Sequence, residues 1–157
     1  MDTLKTLRIE RHITQVQAAG IAGISLRSYK TYENDESKIG SIKYEYIYKL
    51  IEEYNKVDED HGIYTMDEIK KKCEPIFKKY NIEFAYLFGS YSKGKAKDTS
   101  DVDLLVSCSI TGLKFYGMVE DIRTTLHKRV DVLDINQLKN NLDLTIEILK
   151  DGIKIYG

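Results

Sequence analysis

A strand, a glycine bend and a second strand follow one another within residues 82–107, and this run commits the chain to a fold built around a sheet. IEFAYLF (82–88) is β-branched, aromatic and apolar, the composition of a buried strand. Gly89-Ser90 ends it, and Ser90 to Ala96 is expected to form a short helix or tight turn. DVDLLVS (101–107) reads as the next strand. Side chains alternate faces along a strand, so Asp101 and Asp103 should point to the same side.

Chemistry follows from that geometry. A strand that runs into glycine and then a helix start leaves backbone N–H groups aimed at one spot, a setting that favours phosphate. Gly89 lets a backbone approach closely, the Ser90 hydroxyl can bond a phosphate oxygen, and Lys93, Lys95 and Lys97 add positive charge. Two carboxylates on one face repel unless a cation lies between them. Mg²⁺ suits them, because it takes oxygen ligands and bridges carboxylates to substrate phosphates. Two such ions, with ATP as substrate, would activate an attacking hydroxyl and stabilise leaving pyrophosphate. A third acid is expected from RVDVLDI (129–135). Asp131, between Val130 and Val132, is the candidate ligand or base. Asp134 has the opposite parity and is held in reserve.

The pattern YLFGSYSKGKAKDTSDVDLLV resembles the minimal nucleotidyltransferases of the polymerase-beta-type superfamily, over roughly residues 66–155. The resemblance places Asp101, Asp103 and Asp131 at catalytic, metal-binding positions. It places Gly89, Ser90, Lys93 and Ser100 at nucleotide-binding ones. Lys93 stands where arginine is common, which keeps the charge and loses bidentate phosphate bonding.

The first third of the chain is helical in pattern. Residues 3–12 have helical period. Thr14 can cap QVQAAGIA (15–22), Gly23 makes a turn, and Ser25 can cap LRSYKTYEN. A fourth helix is expected over roughly 42–54, with Ile42, Tyr46, Ile47, Leu50 and Ile51 on its apolar face. TQVQAAGIAGISLRSYKTYEN resembles the phage-repressor (XRE-type) helix-turn-helix. That likeness implies a core of Val16, Ala19, Ile24, Tyr29 and Tyr32, with Glu33 as a structural acid. It implies DNA contacts from Gln15, Gln17, Ser25, Arg27, Ser28, Lys30 and Thr31. Two departures stand out: Asp35 where glycine is usual, and Leu26 where a polar base reader is common.

The expected organisation is α+β: an all-helical helix-turn-helix domain (1–56), a polar linker (57–64), and a small mixed sheet with flanking helices (65–157). Thr65 with Glu68 makes a capping box for a helix to about Tyr80, with a kink or restart at Pro75. Another helix is expected over 113–127, a last one over 142–149, and a closing strand in IKIYG. The 24 basic and 25 acidic residues nearly cancel, so bulk charge points to neither membrane nor nucleic acid. Cys73 and Cys108 form no CxxC and suggest neither a disulfide framework nor zinc. His12, His61 and His127 share no ligand spacing. With no signal peptide or long apolar run, the expected location is cytoplasmic.

The family resemblance further implies an antitoxin. It would transfer AMP from ATP to a tyrosine of a HEPN-domain ribonuclease toxin and repress its own operon, either as a homodimer or in a hetero-oligomer with that toxin. The alternative is a regulator that acts by binding, with an inactive or nucleotide-sensing transferase domain. A third possibility is an aminoglycoside-type resistance enzyme, although antibiotic-modifying relatives carry an extra helical domain that completes the substrate pocket.

Overall fold

The computed structural model describes residues 3–157, which divide into two compact units meeting at Lys56 and Val57. In the first, short polar caps set every helix start. Thr3 caps α1 (Leu4–Glu10), Thr14 caps α2 (Gln15–Ala22), Ser25 caps α3 (Leu26–Asn34) and Ser41 caps α4 (Ile42–Glu53). Thr14 and Gln17 form a reciprocal capping box, and α2 stops at Gly23, whose φ of 66° lies in the left-handed region. Leu4, Leu7, Ala18, Ala19, Ala22, Tyr29, Tyr44, Ile47 and Ile51 fill the core.

Two sequence expectations for this unit are corrected. Val16 is 64% exposed, and Ala18 and Ala22 join Ala19 in the core instead. Val16 lies about 200° around the helix from Ala18, so both cannot face inward. The buried face of α4 is Tyr44, Ile47 and Ile51, with Tyr48 packed alongside, at helical spacing. Ile42 is 91% exposed and Tyr46 is also in solvent. The choice was decided by the Tyr44 hydroxyl, which accepts the Leu4 N–H at 3.1 Å and turns that side of α4 inward.

The second unit is a four-stranded sheet in the order β3-β2-β1-β4. Helix α5 (Met66–Lys79) opens with the Thr65–Glu68 capping box. It continues through Pro75 rather than restarting there, because Pro75 lies on the solvent side while Ile69, Cys73, Ile76 and Phe77 anchor the other. Then come β1 (Phe84–Phe88), the one-turn α6 (Gly89–Ser92), β2 (Val102–Ser107), α7 (Leu113–Leu126) and β3 (Val130–Asp134). A 3-10 turn (Ile135–Leu138), α8 (Leu142–Asp151) and β4 (Ile153–Tyr156) complete it. β1 runs antiparallel to β2 and β4; β3 runs parallel to β2. The parallel pair needs the crossover that α7 supplies. Residues 57–64 belong to this unit: Val57 packs on its core, and the buried Tyr64 donates to the Leu126 carbonyl at 2.8 Å.

The sheet has two unequal faces. Ala85, Leu87, Val102, Leu104, Val106 and Val132 pack with residues of α5 and α7 into the main core. The opposite face carries a smaller apolar cluster of Phe88, Leu105 and Ile148, the last from α8. Asp103 shares the parity of Leu105, so the acidic site opens on this second, thinly covered face.

Candidate active site

Register brings two of the three aspartates together. Asp103 on β2 is paired with Asp131 on β3, and on its other side with Phe88, the last residue of β1. Matched positions on neighbouring strands point to the same face, so the two carboxylates are side by side. Asp101, just ahead of β2, is exposed and held by the Arg129 Nε at 3.1 Å. Arg129 also reaches the Thr99 carbonyl at 3.5 Å. Among the described residues no three His, Cys, Asp or Glu side chains converge closely enough to hold an ion. The expected convergence is thus a pair plus a third member turned to a guanidinium. Arg129 supplies the counter-charge that mutual repulsion of the acids demands.

Gly89 explains how Asp103 fits. Its φ is +70°, and a Cβ built there would land on the Asp103 carboxylate oxygen. The missing side chain at 89 therefore makes room for an acid from the neighbouring strand, besides permitting the bend. Asp103 titrates far above an ordinary carboxyl, at about 6. Burial is the main cause, followed by the negative charges of Asp131, Asp101 and Glu147. Such an excess of negative charge calls for a cation. An all-carboxylate donor set suits a hard divalent ion such as Mg²⁺.

The other expected nucleotide-binding residues are distributed around this pair. Ser90 is half-buried in α6, with its carbonyl accepting the Lys95 N–H at 2.9 Å. Ser92 donates its hydroxyl to the Gly89 carbonyl and braces the turn. Ser100 accepts the Lys97 N–H at 2.8 Å, closing the loop before Asp101. Lys93 is ion-paired with Glu147 of α8 at 2.6 Å. The reserve acid Asp134 faces the other way. It caps the 3-10 turn through the Asn136 N–H and accepts a hydrogen bond from the Cys108 thiol at 3.3 Å.

Three residues beside the site had escaped the sequence reading: Lys128, Arg129 and Glu147. Lys128 has no exposed surface, and its ammonium donates to the carbonyls of Asp98 and His61. Burial lowers its pKa. With Arg129, it fastens the 98–101 loop to the start of β3. A Lys-Arg pair ahead of a strand is the only local signal that could have found them. Glu147 carries none, since its place depends on how α8 docks.

In the first unit, Arg27, Lys30 and Thr31 lie exposed on α3, and a shallow concavity is lined by Leu26, Arg27, Lys30 and Thr31. Ser25 and Ser28 are joined by the cap of α3. Gln17 is occupied by the Thr14 N–H, and Gln15 donates to Glu33. Glu33 also takes a bidentate pair from Arg8, at 2.8 and 3.0 Å. Burial works against the Glu33 carboxylate, but the bonds from Arg8 and Gln15 outweigh it and hold its pKa below normal.

Comparison with known proteins finds two families along the chain. The family model "Polymerase beta, Nucleotidyltransferase" matches residues 71–157, and a helix-turn-helix model matches residues 4–61. A Methanocaldococcus jannaschii protein provisionally named a protein adenylyltransferase is 37% identical over 77 residues, 47% of this chain and 82% of that one. The protein adenylyltransferase MntA of Thermococcus cleftensis is 34% identical over 88 residues, 52% of this chain and 89% of that one. A crystal structure of a toxin–antitoxin with AMP-PNP aligns over 56% of this chain and 73% of its own, at 23% identity and a TM-score of 0.48. With more than half its length under one family model, and with a relative above 30% identity spanned almost end to end, this chain belongs to the polymerase-beta-type nucleotidyltransferases and carries a helix-turn-helix domain ahead of the transferase.

Proposed function

We propose that this chain transfers AMP from ATP to a hydroxyl of a partner protein, releasing pyrophosphate. The observation that carries the reading is the register match of Asp103 with Asp131, beside a glycine whose missing side chain leaves space for the Asp103 carboxylate. The relatives' names support a protein acceptor. The family resemblance of the GS-to-DVD segment supports a tyrosine on a HEPN-domain toxin, with this chain as antitoxin.

Asp101, Asp103 and Asp131 would hold Mg²⁺, one ion or two. Bound there, the metal supplies charge neutralisation for the triphosphate and acidifies the acceptor hydroxyl. The chain's own residues do the rest. Gly89 and Ser90 form the bend on which the triphosphate rests, and Lys93 and Ser100 flank it. Arg129 orients Asp101 and balances its charge. Asp131 receives the acceptor's proton, and the apolar wall of Phe88 and Leu105 limits water at the reacting phosphorus.

The test combines the chain with α-³²P-ATP, Mg²⁺ and the HEPN protein encoded beside it. Label on the partner is expected, and it should be lost when Asp101 and Asp103 are both changed to Ala. An intact complex that never takes up label would overturn the catalytic reading.

A second reading has its own observation. Arg27 and Lys30 are exposed on α3 and, among the described residues, pair with no carboxylate. Two cations free on one helix support a phosphate-backbone contact. We therefore also assign operator binding and autoregulation to the first unit. Arg27→Ala should weaken binding to the upstream region and lower the salt slope by about one. Absence of salt-sensitive binding in a shift assay would remove this role.

A further inference from the structure

The Lys93–Glu147 ion pair spans 54 residues of sequence and ties the end of the Gly89–Ser92 turn to the C-terminal helix. Both side chains are about one-third open to water, at 33% and 36%. A ligand can therefore reach them. Of the three lysines in the loop between Gly89 and Asp101, Lys93 alone has an acidic partner among the described residues; Lys95 and Lys97 stand exposed. The positive charge nearest the bend is thus spent on a carboxylate.

That carboxylate is out of keeping with the chemistry around it. Asp101, Asp103 and Asp131 already make the site negative, and Glu147 adds a fourth acid where a triphosphate would have to come. Phosphate and carboxylate both seek the same ammonium. Lysine is a compact point charge whose three N–H groups can be re-aimed without moving the backbone. We propose that Glu147 is a latch opened by nucleotide: in the free chain it holds Lys93, and an incoming triphosphate takes Lys93 from it. The latch rests on the transferase reading above, and it adds a residue of α8 to the site that sets how tightly nucleotide binds. Releasing Glu147 loosens the tie between α8 and the turn, so occupancy of the site is transmitted to the last helix.

Charge removal with shape kept is the informative change. Glu147→Gln leaves an amide oxygen for Lys93 and removes the repulsion toward phosphate. Affinity for AMP-PNP with Mg²⁺ is measured on the full chain by titration calorimetry, for the wild type, Glu147→Gln, Lys93→Ala and the double variant. Glu147→Gln is expected to tighten binding about two- to fivefold, the scale of a partly exposed charge pair. Lys93→Ala should weaken binding, and Glu147→Gln should tighten it by clearly less in that background, where only the direct repulsion is left to remove. Unchanged or weaker binding by Glu147→Gln overturns the latch, since a merely structural brace can only lose affinity when cut. Equal tightening in the Lys93→Ala background also overturns it, because the effect then bypasses Lys93. A wild-type chain that binds no AMP-PNP overturns the latch and the transferase reading together, whereas failure of the latch alone leaves nucleotide binding in place.

Discussion

Replacing Asp103 by Asn should make the metal-free chain more stable, although it removes a residue at the centre of the site. The folded structure raises the Asp103 pKa from 3.8 to about 6 through burial and through Asp131, Asp101 and Glu147. A shift of roughly two units corresponds to about 3 kcal/mol of strain on the ionised form at neutral pH. Asp103 is partly open to water, and screening reduces this to about 1–2 kcal/mol. The sign follows from linkage: the folded state holds its proton more tightly than the unfolded chain. Stability therefore falls as pH rises from about 4 to about 6, and the full penalty is present above that window. The assay is urea unfolding in EDTA across this range, followed by hydrogen exchange at the β2 amides, which report the second unit alone. Asp103→Asn should gain about 1–2 kcal/mol at neutral pH, and the gain should shrink toward pH 4. Adding Mg²⁺ should stabilise the wild type and leave Asp103→Asn unmoved. A variant less stable than wild type in EDTA, or a difference independent of pH, would refute the electrostatic account.

Other substitutions test separate parts. Gly89→Ala drives a methyl group into the Asp103 carboxylate at a φ of +70°. Labelled AMP transfer should fall about 100-fold, the scale of an ångström's misplacement of a reacting group, and full activity would show that the fit of 89 against 103 is irrelevant. Glu33→Gln leaves the Arg8 guanidinium without its bidentate partner in the first unit. It should cost about 3 kcal/mol, read as lost amide protection in α3, and Arg8→Met in the same chain should restore part of it. Lys128→Met strips the donor from the Asp98 and His61 carbonyls. A loss of about 2 kcal/mol in the second unit is expected, with DNA binding by the first unit unchanged.

The strand–bend–strand of 82–107 was legible because its signals are local. Alternation in VDLLV puts Asp103 on the face opposite the buried Val102, Leu104 and Val106, whereas Asp101 lies ahead of the strand and escapes that rule. Thr14, Ser25 and Thr65 begin helices through bonds to residues three positions on. Asp131 was legible for the same reason: parity within VDV separates it from Asp134. The errors share a cause. Helical period gives the angle between residues but not which angle meets a neighbour, so Val16, Ile42 and Tyr46 fit an apolar stripe and yet stand in solvent.

The amino-acid order by itself determined the helix caps, the opposite facing of Asp131 and Asp134, and the membership of a transferase family. Only tertiary structure decided that Asp103 meets Asp131 in register, that Gly89 is small because of an acid on the next strand, and that Glu147 holds Lys93. It also turned Asp101 to Arg129 and buried Lys128 against the loop that carries that aspartate. Each of those contacts joins residues from separate elements. Hydrogen bonds and charge pairs of that kind depend on how helices and strands dock, a sum over the whole core that no short window of sequence contains.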